Sequence, residues 1–164
     1  MQNQRSSKAR LFQQKNMKII DKNIESNLSR LGGYLNYLTD NERVALTELK
    51  EKITEKYPGP GAEIILYGSK ARGDYDENSD IDILIVINDN YDMDKNISYE
   101  ELEKLYFLPV DKKIEEDILS IVINIERKYD LDIDYQVKNK SYVQTTLAQV
   151  VPLYKSIKQE GVEL

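Results

Sequence analysis

The sequence predicts an α/β domain: a mixed sheet with helices packed on it and an added N-terminal helical segment. Three observations carry this. The apolar run Ile83-Leu84-Ile85-Val86-Ile87 has the composition of a strand buried on both faces. A shorter strand-like run, Glu63 to Tyr67, comes before it, and an alternating run, Tyr129 to Val137, comes after it. Apolar residues at three-four spacing mark helices before and between these strands.

Taken in order, Met17, Ile20, Ile24, Leu28, Leu31, Leu35 and Leu38 form one helical stripe, which Gly32-Gly33 bends or breaks. A second helix is predicted from Asp40 to Lys56. Thr39 opens it with Glu42 three residues on as a capping box, Val44, Leu46, Leu49 and Ile53 supply its apolar face, and it ends at Pro58. Tyr57-Pro58-Gly59-Pro60-Gly61 bounds the first strand on one side and Gly68 on the other. Ser69 is expected to cap a short helix through Lys70, Ala71 and Arg72. After the central strand, Asn88 to Asp92 reads as a polar loop, and Ser98 caps a short helix over Tyr99 to Leu105. Pro109 precedes a longer helix whose Ile114, Ile118, Ile121, Val122 and Ile125 make a buried face. The tail is read as a helix over Val143 to Val150, then Pro152 and a final helix to Gln159 closed by Gly161. The expected division is an N-terminal helical extension over 1–60 and the α/β unit over 61–164, together one compact body.

Charge and composition narrow the chemistry. The chain has 164 residues, 40% of them hydrophobic, enough for one domain with a modest core. Cysteine is absent, which excludes disulfides and thiolate chemistry, and so is histidine, the usual general base and zinc ligand. Residues 1–31 carry seven Lys/Arg against two acids; with a net charge of −6 overall, the other 133 residues stand at −11. A body this acidic repels phosphate backbones, which disfavours a template-using polymerase and direct nucleic-acid binding. The basic segment reads as a solvated helix face, with contact to an acidic partner or RNA as the alternative. No long apolar stretch or signal-like start is present, so no membrane association is expected and the cytoplasm is the expected location.

The densest chemical signal is Gly68-Ser69, ten intervening residues, then Asp80-Ile81-Asp82 at the head of the central strand. Side chains alternate along a strand, so Asp80 and Asp82 face the same way about 7 Å apart. Two carboxylates in one small volume resist joint ionisation unless a cation neutralises them. Hard oxygen ligands of this kind suit Mg²⁺, which keeps waters and takes further ligands from phosphates. Gly68 lets the backbone approach a ligand closely, amides at the start of the following helix and the Ser69 hydroxyl can take phosphate oxygens, and Lys70 and Arg72 can help to neutralise a triphosphate. The run Asp74-Tyr75-Asp76-Glu77-Asn78-Ser79-Asp80 imitates the start of a calcium loop. It fails at the sixth position, Ser79 where glycine is needed, and at the twelfth, Ile85 where glutamate is needed.

Gly68-Ser69 and Asp80-x-Asp82 at this spacing resemble the signature of the polymerase-beta-type nucleotidyltransferase superfamily. The run Gly68-Ser69-Lys70-Ala71-Arg72-Gly73-Asp74 is similar to that of the minimal nucleotidyltransferases (MNT). These are small single-domain proteins often encoded beside a HEPN-domain toxin, and some act as antitoxins that transfer AMP to tyrosines of that toxin. The resemblance covers roughly residues 62–137, and Ile157 to Val162 is similar to the family's closing helix and Glu-Gly turn. It implies the nucleotidyltransferase fold, ATP as substrate, two Mg²⁺ ions, and a third carboxylate on a neighbouring strand. Asp130, Asp132 and Asp134 alternate onto one face, and periodicity does not choose among them. The family's third acid usually follows a short apolar lead-in, which favours Asp134 with Asp132 as the alternate. The expected site is therefore Asp80, Asp82 and Asp134 as catalytic and metal-binding acids, with Gly68, Ser69, Lys70 and Arg72 on the nucleotide.

The function implied is Mg-dependent transfer of AMP from ATP to a hydroxyl, with a tyrosine of a HEPN toxin as one acceptor. Two alternatives stand beside it. One is a non-catalytic antitoxin or binding module acting by contact through the N-terminal stripe. The other is an aminoglycoside-type transferase, disfavoured because such enzymes commonly add a helical domain and only about 27 residues follow the third strand here.

Overall fold

The run Ile83–Ile87 forms the centre of the sheet, as its composition requires. In a computed structural model, which describes residues 37–76, 79–90 and 98–164, all within the unit Tyr34–Leu164, it belongs to β2 (Ile81–Ile87). This strand pairs antiparallel with β1 (Ala62–Tyr67) and parallel with β3 (Ile133–Asn139). A two-residue strand, β4 (Val162–Glu163), adds to the far side of β1, so the order is β3-β2-β1-β4. The sheet is mixed, as expected, and has four strands. The parallel pair needs a crossover, and the helices α3 (Tyr99–Tyr106) and α4 (Lys112–Tyr129) lie on it.

Alternation along β2 sorts the core into two layers. Ile81, Ile83, Ile85 and Ile87 face one side, where α1 (Asp40–Lys56) and α4 pack on each other and on the sheet. Leu46, Leu49 and Ile53 of α1 and Ile118, Val122 and Ile125 of α4 are buried in that layer. Leu84 and Val86 face the other side and join Tyr67, Ala148, Tyr154 and Ile157. Asp82 shares this second face but lies at its open end, only half-buried.

The capping box of α1 forms as read: Glu42 N donates to Thr39 Oγ1 at 3.2 Å, and Thr39 N donates to Glu42 Oε2 at 2.8 Å. Three expectations are corrected. The short helix α2 spans Gly68–Arg72, one residue earlier than read, so Ser69 lies inside it and provides no side-chain cap. The third strand begins later, because α4 runs on to Tyr129 and Asp130 ends it in the left-handed region at φ 53°, a conformation a short polar side chain tolerates. Asp130 and Asp132 therefore precede the strand. The single tail helix is two, α5 (Lys140–Gln144) and α6 (Thr146–Val150), divided where the Thr145 hydroxyl accepts from Ala148 N and donates to Tyr142 O. Beyond the last helix, α7 (Pro152–Glu160), the Glu-Gly turn leads into β4. Met17 to Leu35 of the apolar stripe, Gly32-Gly33 and the basic segment lie outside the described residues, whereas Leu38 is buried.

No described helix is long and apolar enough to cross a membrane. Ile85 is fully buried in the doubly paired strand, so Ile85→Ala is expected to cost about 2–5 kcal/mol of stability. Urea denaturation followed by circular dichroism measures it.

Candidate nucleotide site

Three strand ends meet at one edge of the sheet. β1 ends where antiparallel β2 begins, and parallel β3 begins beside β2. The register makes Tyr67 the partner of Asp82 and Asp82 the partner of Asp134. Partners on adjacent strands face the same way, so these three side chains form one row. One step outward, Asp80 and Asp132 lie level with each other ahead of their strands, both exposed, and the Asp132 carbonyl accepts from Ile81 N at 3.1 Å.

Gly68 follows Tyr67 at φ +74°, in the region that favours glycine. A Cβ there would stand 2.1 Å from Asp82 Oδ2, inside any tolerable contact. The carboxylate thus lies directly against the backbone of the Gly-Ser turn, in the space a side chain would fill. The carbonyl of Ser69 accepts from the amides of Gly73 and Asp74 at 2.8 and 3.2 Å, which closes the turn.

The electrostatics follow from this crowding. Burial pushes the Asp82 carboxyl above its ordinary value, the charges of Asp134 and Asp80 push it further, and Arg72 pulls it back. Burial also raises the Tyr67 phenol, with Asp82 and Asp134 adding to the shift and a hydrogen bond with Gln136 opposing it. Among the described residues no three acids are gathered tightly enough to enclose a metal by themselves. What the row offers a hard cation is an anionic edge, with Asp82 held against the turn.

The basic residues divide. Arg72 stays at the surface, its guanidinium 3.2 Å from Asp74 and 3.3 Å from Glu160 of α7. Lys70 turns inward: its side chain is 5% exposed, and Nζ lies 2.7 Å from Oε1 of Glu42, itself 8% exposed. Burial pushes the Glu42 carboxyl up, but hydrogen bonds from Lys70 and from Thr39 outweigh it and hold the pKa below the usual value. Glu42, Tyr67, Gln136 and Glu160 were not read as site neighbours from sequence. Tyr67 had a usable signal, since it adjoins Gly68 on the strand that antiparallel pairing must set beside Asp82.

Gly68→Ala is expected to force Asp82 out of the row and strain the backbone, lowering stability by about 1–3 kcal/mol. Thermal unfolding gives the cost, and an amide spectrum shows whether the shift is confined to residues 67–74, 80–83 and 133–135.

A family model described as "Nucleotidyltransferase domain" matches residues 46–146. The chain is 52% identical over 52 residues, 32% of its own length and 52% of the relative's, to "Putative protein adenylyltransferase MJ0604" of Methanocaldococcus jannaschii. It is 43% identical over 44 residues, 27% of its length and 44% of the relative's, to "Putative protein adenylyltransferase MJ0141" of the same organism. It spans about half the length of the curated relatives it matches. The matched span takes in all three principal strands, the Gly-Ser turn and the row of acids, and the chain belongs to the nucleotidyltransferase domain family.

Proposed function

We propose that the protein is a Mg²⁺-dependent adenylyltransferase that moves AMP from ATP to a hydroxyl. The observation that carries the reading is the row Tyr67, Asp82 and Asp134, with Asp82 pressed against Gly68, in a chain of this family. In this reading Asp80, Asp82 and Asp134 would hold two Mg²⁺ ions. Bound there, the ions would lower the pKa of the acceptor hydroxyl and neutralise the triphosphate and departing pyrophosphate. Gly68 and Ser69 seat the phosphates, with Arg72 at the mouth of the site. The acceptor oxygen attacks the α-phosphorus in line, forming the new P–O bond as the bond to pyrophosphate breaks. The hydroxyl proton leaves to water or to a carboxylate of the row. We take Asp134 as the third acid; its place level with Asp82 supports this over Asp132, which precedes the strand.

The acceptor we favour is a tyrosine of a HEPN-domain toxin, with this chain as its antitoxin in the cytoplasm. Its support is the resemblance of the Gly68–Asp74 run to the minimal nucleotidyltransferases and the names of the two relatives, each "Putative protein adenylyltransferase".

Labelled ATP, Mg²⁺ and a HEPN protein encoded beside this chain are expected to yield an adenylate on the partner, read by mass spectrometry, together with pyrophosphate. Full neutralisation of the partner by an Asp80→Asn/Asp82→Asn chain, with no adenylate formed, would overturn the enzyme reading in favour of masking by contact. Transfer is expected to stop with a chelator and to fall more than about 100-fold in Asp134→Asn, beyond the loss typical of residues that only orient a metal's ligands. Asp132→Asn should cost much less. The reverse order moves the third ligand to Asp132.

A further inference from the structure

A five-residue helix does not hold its own shape in water, so the position of α2 is set by what grips it. On one side Arg72 reaches Glu160, but both side chains are more than a third exposed, and such pairs hold weakly. The other grip is different in kind. Lys70 and Glu42 are buried together at 2.7 Å, and both Glu42 oxygens are used, Oε1 by Lys70 and Oε2 by Thr39 N. The Lys70 ammonium also lies 4.9 Å from the centre of the Tyr75 ring, a cation–π contact just past the turn. At the far end of α2, Gly73 sits at φ +85°, and a Cβ there would stand 2.6 Å from the ring of Tyr37. The segment 37–42 therefore grips both the middle and the end of α2.

A buried ion pair is a poor way to gain stability, since removing two charges from water offsets most of their attraction. Its effect is directional: Lys70 satisfies its charge only where Glu42 stands. We infer that Glu42 is a positioning residue that holds the Gly-Ser turn against Asp82 through Lys70. Glu42 precedes residue 46, where the family match begins, so one half of the pair lies outside the matched span and Lys70 inside it. This role rests on the reading above, that the turn receives the triphosphate. Lys70 accordingly acts on the nucleotide through the turn's position rather than by touching phosphate.

The test uses the full chain with Glu42→Gln, which keeps shape and removes charge, and with the double variant Glu42→Gln/Lys70→Met, which leaves no lone buried charge if the single variant folds poorly. Ile118→Val, a buried site on α4 that touches neither Glu42 nor Lys70 in any hydrogen bond or ion pair, is the control for general loss of stability. Two readouts are taken: hydrogen exchange at the Gly73 and Asp74 amides, which close the turn on Ser69 O, and Mg-ATP affinity by calorimetry. Both Glu42 variants are expected to speed exchange at Gly73 and Asp74 at least about tenfold with little change at Val122 and Ile125, and to weaken Mg-ATP about tenfold. Ile118→Val should do neither. Wild-type affinity in the Glu42 variants, or exchange that rises only in step with the whole chain, overturns the positioning role while leaving the functional reading in place. A wild-type chain that binds no Mg-ATP, with the turn still loosened by Glu42→Gln, overturns the functional reading and with it the purpose assigned to the grip.

Discussion

Everything at the site depends on the double pairing of β2. Its antiparallel contact with β1 fixes Tyr67 beside Asp82, and its parallel contact with β3 fixes Asp134 on the other side. A slip of one residue in either pairing would turn a member of the row to the opposite face, because the side-chain period is two. The slip is opposed by the core. Ile81, Ile83, Ile85 and Ile87 are all buried against α1 and α4, while Leu84 and Val86 are buried on the other side, so neither face of the strand can be exchanged for the other. Hydrophobic burial, which has no chemical specificity, thereby places carboxylates in a definite geometry.

The same edge is where the fold is under electrostatic load. Asp82 is half-buried among like charges, an arrangement that works against folding when the acids are ionised. A raised carboxylate pKa means the folded chain holds that proton more tightly than the unfolded chain. This contribution to stability is therefore largest at low pH and is lost as pH rises through the folded value. The cost is tolerated because the neighbouring layers are well packed, and a bound cation would remove it. Gly68 belongs to the same compromise, since only a residue without a side chain leaves room for the Asp82 carboxylate.

Ion pairs elsewhere do different work. Glu48 of α1 accepts from both Lys128 and Tyr129 at the end of α4, and Lys56 meets Asp117, tying the two helices at their exposed rims. Such contacts add little to stability but fix how the helices lie along each other. Glu42 and Lys70 make the corresponding tie in the interior, where breaking one partner would strand the other. The layer of α1 and α4 thus serves the site twice: it buries the floor of the sheet, and it supplies Glu42 to the turn.

Much of this was legible along the chain because it is written in local pattern. The apolar run of β2, the capping box at Thr39 and Glu42, the three-four spacing of α4, and the Gly-Ser to Asp-x-Asp spacing each follow from residues close in sequence, and each survives in the fold. Strand periodicity could say that Asp132 and Asp134 share a face; it could not say which stands beside Asp82, because register between strands whose partners are 52 residues apart is set by the packing of both layers. The left-handed Asp130 that delays β3 and the Thr145 hydrogen bonds that divide the tail helix were likewise hidden, since each depends on a competition between local structure and the core. Lys70 is the clearest case. In the sequence it is a cation next to a phosphate-binding motif, and its partner lies 28 residues upstream in a helix cap. Only the tertiary fold, by burying both side chains together, turns that cation inward to hold the turn in place.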